Sequence, residues 1–242
     1  MTKAIQIDNF SYSYPDGTTA LREITLSIEH GRRVALIGPN GAGKSTLLLA
    51  MAGFIRGTGK VIIDGLDTAG NLKQVRSAIG CCLENPEDQL FMPTLFDDVA
   101  FGPLNMGLDP SQVKERVALA LARVGLAAMA QRPPHHLSAG QKRAAAIATV
   151  LSMSPKIITL DEPDGSLDPR NRNNLVNLLT ALSQTLVIAT CSMDFAAAVA
   201  DTAAVMDAGR VVAVGPAEQI MSDAKLMTSH GLEVPRKFIN GR

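Results

Sequence analysis

Gly38-Pro39-Asn40-Gly41-Ala42-Gly43-Lys44-Ser45-Thr46 is the stretch of this chain that decides its fold. It fits the pattern G-x-x-x-x-G-K-[ST] and directly follows the apolar run Val34-Ala35-Leu36-Ile37, which is typical of a buried strand. Glycines let the backbone turn its N–H groups inward, and the helix expected to start near Lys44 adds the positive end of its dipole. The stretch therefore predicts a cradle for the phosphates of a nucleotide.

Three side chains of this cradle carry separate expectations. Lys44 is long enough to reach the β and γ phosphates as a point charge, and the Ser45 hydroxyl is suited to a magnesium ion that keeps several waters. Thr46 is expected to touch a phosphate as well. The alternative is a glycine-rich turn that matches by chance, but the strand before it and the helical run after it favour the cradle.

Length and composition limit the possible classes of protein. The 242 residues suffice for one large domain, or for one domain with a lobe. Lys plus Arg and Asp plus Glu both number 23, so the net charge is zero and nothing predicts binding to nucleic acid. The three cysteines have no metal-ligand spacing, which fits a reducing cytosol. No uncharged run approaches the roughly 18 residues that span a bilayer, so we expect a soluble chain that can dock on a membrane partner.

Hydrophobic periodicity divides the chain into a core and an insertion. Alternating apolar residues predict strands near Ile5 and Ile24, which give a β-rich opening. From Asn85 prolines separate short segments, Ser111 is expected to cap one helix, and another helix should cover about residues 140–153. We predict one α/β domain over residues 1–242, in which a core of residues 1–84 and 156–242 is interrupted by a helical part over 85–155.

Two carboxylates follow the apolar strand predicted around residues 156–160. Asp161 and Glu162 come at its carboxyl end, where open α/β sheets place their ligands. Asp161 is expected to hold magnesium through water, and Glu162 to accept a proton from the water that attacks the γ phosphate. Two acids at an ordinary strand end are common in isolation. After a phosphate cradle, we favour the second half of a nucleotide site.

A second anion site is predicted at Leu137-Ser138-Ala139-Gly140-Gln141, just before a helix. Ser138 and the Gly140 N–H would lie at the helix N-terminus, where anions bind. One nucleotide needs only one cradle, so the economical account is that these residues complete the site of another subunit in a head-to-tail dimer. A simple N-cap formed by Ser138 is the alternative.

These motifs together resemble those of the ATP-binding cassette (ABC) family, over nearly the whole chain. Residues 38–46 resemble its Walker A motif, 137–141 its signature, 160–163 its Walker B motif and 166–168 its D-loop. The resemblance implies an α/β P-loop NTPase core with an antiparallel β subdomain and an inserted helical subdomain. It also implies that the Walker A and Walker B motifs bind ATP and Mg²⁺, with contributions from Ser138, Gly140 and Gln141. Tyr14, or less readily Tyr12, matches the aromatic residue that stacks on adenine, although a plain strand tyrosine fits as well.

A narrower resemblance is to the ATPases of energy-coupling-factor importers. It rests on the segments Glu84-Asn85-Pro86-Glu87-Asp88-Gln89-Leu90-Phe91 and Asp97-Asp98-Val99-Ala100-Phe101-Gly102-Pro103-Leu104-Asn105. The segments around His135-His136 and His230 are similar to the cobalt and nickel branch. The adjacent histidines are expected to diverge and to be structural rather than metal-binding. Any transported ion would be bound by membrane partners.

The same resemblance implies a surface groove that receives a helix of a membrane subunit. Asp88, Gln89, Leu90 and Phe91 are the expected docking residues, with Met92 and Phe96 extending the apolar face. The alternative is that these side chains fill the core of the helical part. Residue by residue the two readings are comparable, and the segment as a whole favours the groove.

Two positions depart from the family's catalytic set. Glu84 stands where relatives have the Q-loop glutamine, and Cys191 stands where they have the switch histidine. Glu84 is expected to contact the metal while adding negative charge beside a polyanion. Cys191 is a weak hydrogen-bond donor, and loss of one such donor in an unrelated hydrolase costs about 100- to 1,000-fold in rate. Nucleotide binding should survive, whereas hydrolysis should be slow.

The leading hypothesis is therefore an ATP-driven importer subunit, peripheral on the cytoplasmic face of the membrane. It would dimerise with itself or with a second ABC ATPase and drive a transmembrane coupling subunit. One rival is a soluble ABC ATPase that acts on nucleic acid or ribosomes, against which stand the zero net charge and the single cassette. The other is a nucleotide-binding regulatory subunit with little turnover, motivated by Glu84 and Cys191.

Overall fold

The computed structural model describes residues 3–165 and 167–239. Its strands are β1 (Lys3–Ser13), β2 (Thr19–Glu29), β3 (Arg33–Ile37), β4 (Thr58–Ile63), β5 (Leu66–Asp67), β6 (Ile79–Cys82), β7 (Ile157–Asp161), β8 (Thr185–Thr190), β9 (Thr202–Asp207) and β10 (Arg210–Pro216). Its α-helices are α1 (Lys44–Met51), α2 (Leu72–Ala78), α3 (Leu95–Asn105), α4 (Pro110–Arg123), α5 (Ala139–Leu151), α6 (Pro169–Thr180), α7 (Met193–Val199), α8 (Ala217–Ser222), α9 (Ala224–Ser229) and α10 (Arg236–Ile239).

Two sheets organise these residues. The first is antiparallel, with strand order β2-β1-β4-β5. The second has the order β10-β9-β3-β8-β7-β6, in which every neighbouring pair is parallel except the edge pair of β10 and β9. In the second sheet β3 and β7 lie on either side of β8, so their carboxyl ends meet at one edge. The loop after β3 and the acids after β7 therefore lie close together.

The apolar runs of the sequence explain the position of the parallel sheet. Residues 34–37 of β3 and all six residues of β8 are buried, as expected for strands covered on both faces. One buried cluster joins the first sheet, α1 and β3, whereas another joins α3, α4 and α5 to the far side of the second sheet. The helical part thus shares its core with the strands that carry the acids.

The helix caps differ from the prediction at one position. Asp109, and not Ser111, is the N-cap of α4: its Oδ1 atom accepts hydrogen bonds from the N–H groups of Ser111 and Gln112. Pro110 occupies the first helical position, which suits a residue that has no N–H to leave unpaired. Prediction of Ser111 as the cap was wrong because it overlooked this Asp-Pro pair.

No helix within the described ranges is long and apolar enough to cross a bilayer.

Candidate nucleotide site

The loop of residues 38–46, called here the phosphate loop, turns tightly between β3 and α1. Gly43 has a φ of 98°, a left-handed conformation that favours glycine, and it is the N-cap of α1. A Cβ atom on Gly38 would lie 2.2 Å from the carbonyl oxygen of Met206, so only glycine fits there. No side chain in the described part of the chain caps α1, which leaves its first N–H groups available to an anion.

The Lys44 ammonium lies inside this loop. The side chain is only 6% exposed, and Nζ donates to the carbonyl oxygens of Gly38 (2.8 Å) and Pro39 (3.2 Å). The Oε1 atom of Glu162 is 3.9 Å away from Nζ. A buried cation needs such partners. The loop thus fixes the charge of Lys44, the residue that the sequence predicts to meet the phosphates.

Asp161 ends β7 and offers an unsatisfied oxygen. Its Oδ1 atom is buried without a hydrogen-bond partner among the described residues. Burial raises the pKa of the Asp161 carboxyl, a hydrogen bond from the Ser45 hydroxyl lowers it, and the negative charges of Glu84 and Glu162 raise it further. A carboxylate oxygen beside a serine hydroxyl, in a region of excess negative charge, is the hard-oxygen donor set that Mg²⁺ prefers. The residues present therefore fit a magnesium ion held by Ser45 and Asp161.

Glu162 is held in an unusual backbone conformation next to Asp161. Its φ is 40°, and its N–H donates to the carbonyl oxygen of Ala189, 2.8 Å away. The Oε2 atom accepts a hydrogen bond from the backbone N–H of Cys191 at 3.0 Å. The carboxylate is thus fixed between the phosphate loop and the residue after β8. A non-glycine residue at positive φ is a feature that clusters at functional sites.

The thiol of Cys191 lies against the phosphate loop. Its Sγ atom is 3.2 Å from Nζ of Lys44 and 3.0 Å from Oδ1 of Asn40, to which the S–H donates. Burial raises the pKa of the Cys191 thiol, the nearby Glu162 carboxylate raises it further, and Lys44 acts in the opposite direction. The neutral thiol that results is a weak donor. The structure therefore brings Cys191 to the site predicted for the switch histidine.

Glu84 and Tyr14 flank the same region. Glu84 follows β6, is exposed, and lies near enough for its charge to raise the pKa of Asp161. The Tyr14 hydroxyl is 2.9 Å from Oγ1 of Thr46, and the ring is 39% exposed beside Tyr12. Tyr14 therefore reaches the phosphate loop through its hydroxyl and still presents its ring at the surface.

The segment of residues 137–141, called here the signature segment, begins helix α5. Ser138 is the N-cap of α5 and forms a reciprocal capping box with Gln141. A Cβ atom on Gly140 would lie 2.8 Å from the Asn171 side chain of α6, which would have to move to admit it. Among the described residues no hydrogen bond or ion pair joins this segment to residues 38–46. Of the predicted D-loop, Ser166 lies outside the described residues, and Asp168 caps α6.

The structure also shows a buried carboxylate that sequence reasoning missed. Asp164 is 3% exposed, accepts a hydrogen bond from Oγ1 of Thr190 at 2.9 Å, and lies 3.5 Å from the Arg172 guanidinium. The Thr190 hydroxyl oxygen in turn accepts from the N–H of Ser192. This chain of contacts fixes the backbone on both sides of Cys191. The signal available in the sequence was an acidic residue just after Asp161 and Glu162.

A wide apolar groove, about 890 Å³ in volume, opens between α2, α3 and the end of β6. Phe54, Phe91 and Phe101 are its exposed aromatic residues, at 57%, 62% and 45% exposure. The rings of Phe91 and Phe101 meet edge to face at 5.1 Å, and the Arg76 guanidinium lies over the Phe54 ring. Asp88 lies at its rim.

Part of the predicted docking face points inward instead. Leu90 is 9% exposed and Phe96 packs against the core of the helical part, so the prediction that they face a partner was wrong. The Gln89 amide donates to Ala146 O (2.9 Å) and to Thr149 Oγ1 (2.7 Å), which turns its polar end towards α5. Hydrophobic side chains in this segment alternate between the shared core and the groove.

His135 and His136 do not diverge as predicted. Their rings meet edge to face with centroids 4.3 Å apart, because both lie in one short 3₁₀ turn of residues 134–136. No group of three or more His, Cys, Asp or Glu side chains with metal-binding geometry occurs in the described part of the chain.

Comparison with known proteins identifies the family of this chain. The family model described as ABC transporter matches residues 21–165. The energy-coupling factor transporter ATP-binding protein EcfA of Methanothermobacter thermautotrophicus is 44% identical over 96% of this chain and 77% of its own length. The structure of cbiO1 from Clostridium perfringens, part of the ABC transporter complex cbiONQ, is 33% identical, with a TM-score of 0.84 over 99% of this chain and 98% of its own. The dimeric ABC transporter cassette MJ0796 is 27% identical, with a TM-score of 0.78 over 88% and 98%. The predicted fold class is confirmed.

Proposed function

The chain belongs to the ATP-binding proteins of ABC transporters, and from that premise we propose that it powers an importer of the energy-coupling-factor type. It is an ATPase of that family. Similarity along almost the whole chain to EcfA and cbiO1 supports this choice of subgroup. The cargo that we propose is cobalt or nickel ions, which rests on the segments around His135-His136 and His230.

The groove is the observation that carries the proposal of a membrane partner. Three exposed aromatic residues that line one groove are unusual on a surface that faces only water. The groove has a basic wall at Lys73 and Arg76 and an acidic rim at Asp88. An amphipathic helix of a transmembrane subunit, with its apolar face towards Phe91 and Phe101, has the chemistry that matches. Such a partner would hold the chain peripherally on the cytoplasmic face of the membrane.

Nucleotide binding is proposed to involve two chains. The phosphate loop of one chain would hold the phosphates of ATP, and the signature segment of a second chain would close over them. The dimeric form of the related cassette MJ0796 supports this proposal. Within the described part of a single chain, no hydrogen bond or ion pair joins the two segments, which also supports it. The second chain is either another copy or a different ABC ATPase, related by a two-fold axis.

The residue roles that we propose lie around the phosphate loop. Lys44 would bind the β and γ phosphates, and the Tyr14 ring the adenine. A magnesium ion would be held by Ser45, Glu84 and Asp161. Glu162 would accept the proton of the attacking water, beside Glu84 and Cys191. With a thiol at position 191 the γ phosphate lacks a strong donor, so we propose slow hydrolysis.

Copurification with membrane proteins from the cells that produce this chain tests the proposal. The unaltered chain should be recovered with them, and Phe91→Asp should be lost from the complex because it places a charge in the apolar groove. Leu119→Asp is the matched control, since Leu119 is 59% exposed on α4 and does not line the groove. Retention of Phe91→Asp in the complex, or recovery of the chain on nucleic acid instead, would contradict the proposal.

A further inference from the structure

Arg143 is a buried cation on the helix that follows the signature segment. It is 6% exposed, and its guanidinium donates from Nη1 to the Leu83 carbonyl oxygen (2.9 Å) and from Nη2 to the Glu84 carbonyl oxygen (2.6 Å). No carboxylate of the described residues forms an ion pair with it at 4.0 Å or less. A buried guanidinium is costly unless its donors are used. Arg143 therefore donates its hydrogen bonds to two consecutive carbonyl groups of the loop after β6.

The rest of that loop is also bound to α5. The Gln89 amide donates to Ala146 O and Thr149 Oγ1, and its Oε1 atom accepts from the Leu83 N–H at 3.1 Å. Lys142 forms an ion pair with Glu87. Residues 142, 143, 146 and 149 follow helical spacing, so the loop of residues 83–89 lies along one face of α5. Arg143 is the member of this set whose bonds reach Glu84.

The helix that carries these contacts begins at the signature segment. Arg143 is the fifth residue of α5, which places it about 7 Å along the axis from the Ser138 cap at 1.5 Å per residue. A helix of this length is stiff, and Glu84 is tied to it by its own carbonyl group. The position of Glu84, which is proposed to act at the nucleotide of the same chain, is thereby linked to the position of the signature segment. The signature segment is proposed to contact the nucleotide of the second chain.

We propose that Arg143 is a positioning residue for ATP hydrolysis, which holds Glu84 in register with the signature segment. The inference rests on the proposed role of Glu84 at the nucleotide. It assigns Arg143 no contact with ATP. A partner that docks in the groove would also affect the position of Glu84. Asp88 and Gln89, which line the groove, belong to the same loop of residues 83–89 that is bonded to α5.

A double-mutant cycle on the full chain tests this inference. Arg143→Met retains the aliphatic stem and removes the donors that bind the carbonyl oxygens of Leu83 and Glu84. We expect single-turnover phosphate release to fall by about 10- to 100-fold while KM for ATP is unchanged, the effect typical of lost positioning contacts. Arg143→Lys should recover part of the rate because its ammonium can donate to one carbonyl group. Lys142→Ala is the matched control: it breaks an exposed ion pair to the same loop and should leave the rate unchanged.

The cycle is completed with Glu84→Ala and the double variant. If Arg143 acts through Glu84, adding Arg143→Met to Glu84→Ala should cost no more than about twofold. Faster hydrogen exchange of residues 83–89 in Arg143→Met gives a second readout, independent of turnover. Two results would overturn the inference and leave the proposed role of Glu84 intact. One is unchanged turnover in folded Arg143→Met. The other is that Glu84→Ala is impaired and the double variant loses the product of the two separate losses. Unchanged turnover in Glu84→Ala would overturn the proposed role of Glu84, and the inference with it.

Discussion

The Nζ atom of Lys44 lies 3.2 Å from the Sγ atom of Cys191. The side chain at position 191 therefore reaches the cation at the centre of the phosphate loop, and its chemistry acts directly on the region proposed for the γ phosphate. Cys191 is fixed there from both sides, by its N–H bond to Glu162 and by the contacts of Thr190 with Asp164.

Replacing Cys191 by histidine should accelerate ATP hydrolysis. An imidazole N–H is a stronger donor than a thiol, and one added donor at a developing charge accounts for up to about 100- to 1,000-fold in rate. Phosphate release by the full chain, with its membrane partners, measures the effect. Cys191→Ala, which adds no donor, is the control and should stay at or below the rate of the unaltered protein. Equal rates for Cys191→His and Cys191→Ala would show that the thiol does not limit turnover.

Removal of the Lys44 ammonium should weaken nucleotide binding. A charged hydrogen bond contributes about 1.5–3 kcal/mol, so Lys44→Ala should lower the affinity for ATP by about 10- to 160-fold. Titration with a fluorescent ATP analogue measures this change. Lys60→Ala is the matched control, because Lys60 is exposed on β4 and remote from the phosphate loop. Equal affinities for the two variants would contradict the assignment of Lys44.

Truncation of a buried leucine in the helical part should destabilise the fold far more than truncation of an exposed one. Leu95 is fully buried in α3, so Leu95→Ala should lower the free energy of unfolding by about 2–5 kcal/mol. Leu119 is 59% exposed on α4, and Leu119→Ala should change the free energy of unfolding by no more than about 0.5 kcal/mol. Urea unfolding of both variants measures the difference. A cost below 1 kcal/mol for Leu95→Ala would mean that the core packs differently, given the usual lower bound of about 2 kcal/mol.

The carboxyl of Asp98 should make stability fall as the pH rises. Burial raises the pKa of Asp98 above its ordinary value of 3.8, against two backbone N–H bonds from Met92 and Phe91 that lower it. The folded chain then binds this proton more tightly than the unfolded chain does. The contribution is complete below pH 3.8 and is lost as the pH rises through the raised pKa. Asp98→Asn should therefore gain stability relative to the unaltered protein between acid and neutral pH.

Asp109 provides the control with the opposite sign. The backbone N–H of Gln112 and the Ser111 hydroxyl hold the pKa of the Asp109 carboxyl below 3.8. Its stabilisation is present above pH 3.8 and is lost as the pH falls through the lowered pKa. Asp109→Asn should thus lose stability relative to the unaltered protein as the pH rises. Thermal unfolding at a series of pH values compares the two slopes, and slopes of the same sign would refute the assignment.

The sequence predicted the phosphate loop and the strand before it because local rules govern both. A G-x-x-x-x-G-K-[ST] pattern needs glycine at Gly43 for its positive φ, and the apolar run of β3 needs burial on both faces. The same logic failed at Ser111, where Asp109 and Pro110 provide a better helix start. It also failed for Leu90 and Phe96. An apolar residue in a short segment indicates burial but not whether a core or a partner will bury it.

Other features of the site depend on contacts between distant parts of the chain. Arg143 is 59 residues from Glu84 in sequence, and its burial results from the packing of α5 against β6. Asp164 meets Thr190 only because β7 and β8 are neighbours in the parallel sheet. Sequence spacing contains no information on such pairs when both partners are ordinary polar residues.

The sequence by itself determined the phosphate loop, the helix starts and the strand-end acids, and from them predicted a nucleotide in a composite site, because these features are set by residues adjacent in the chain. The tertiary structure alone decided what surrounds the phosphate loop: the neutral thiol of Cys191 against Lys44, the unsatisfied oxygen of Asp161, and the contact between Arg143 and Glu84. The physical reason is that hydrogen bonds and desolvation act over a few ångströms in space, whereas these partners are separated by tens of residues along the chain.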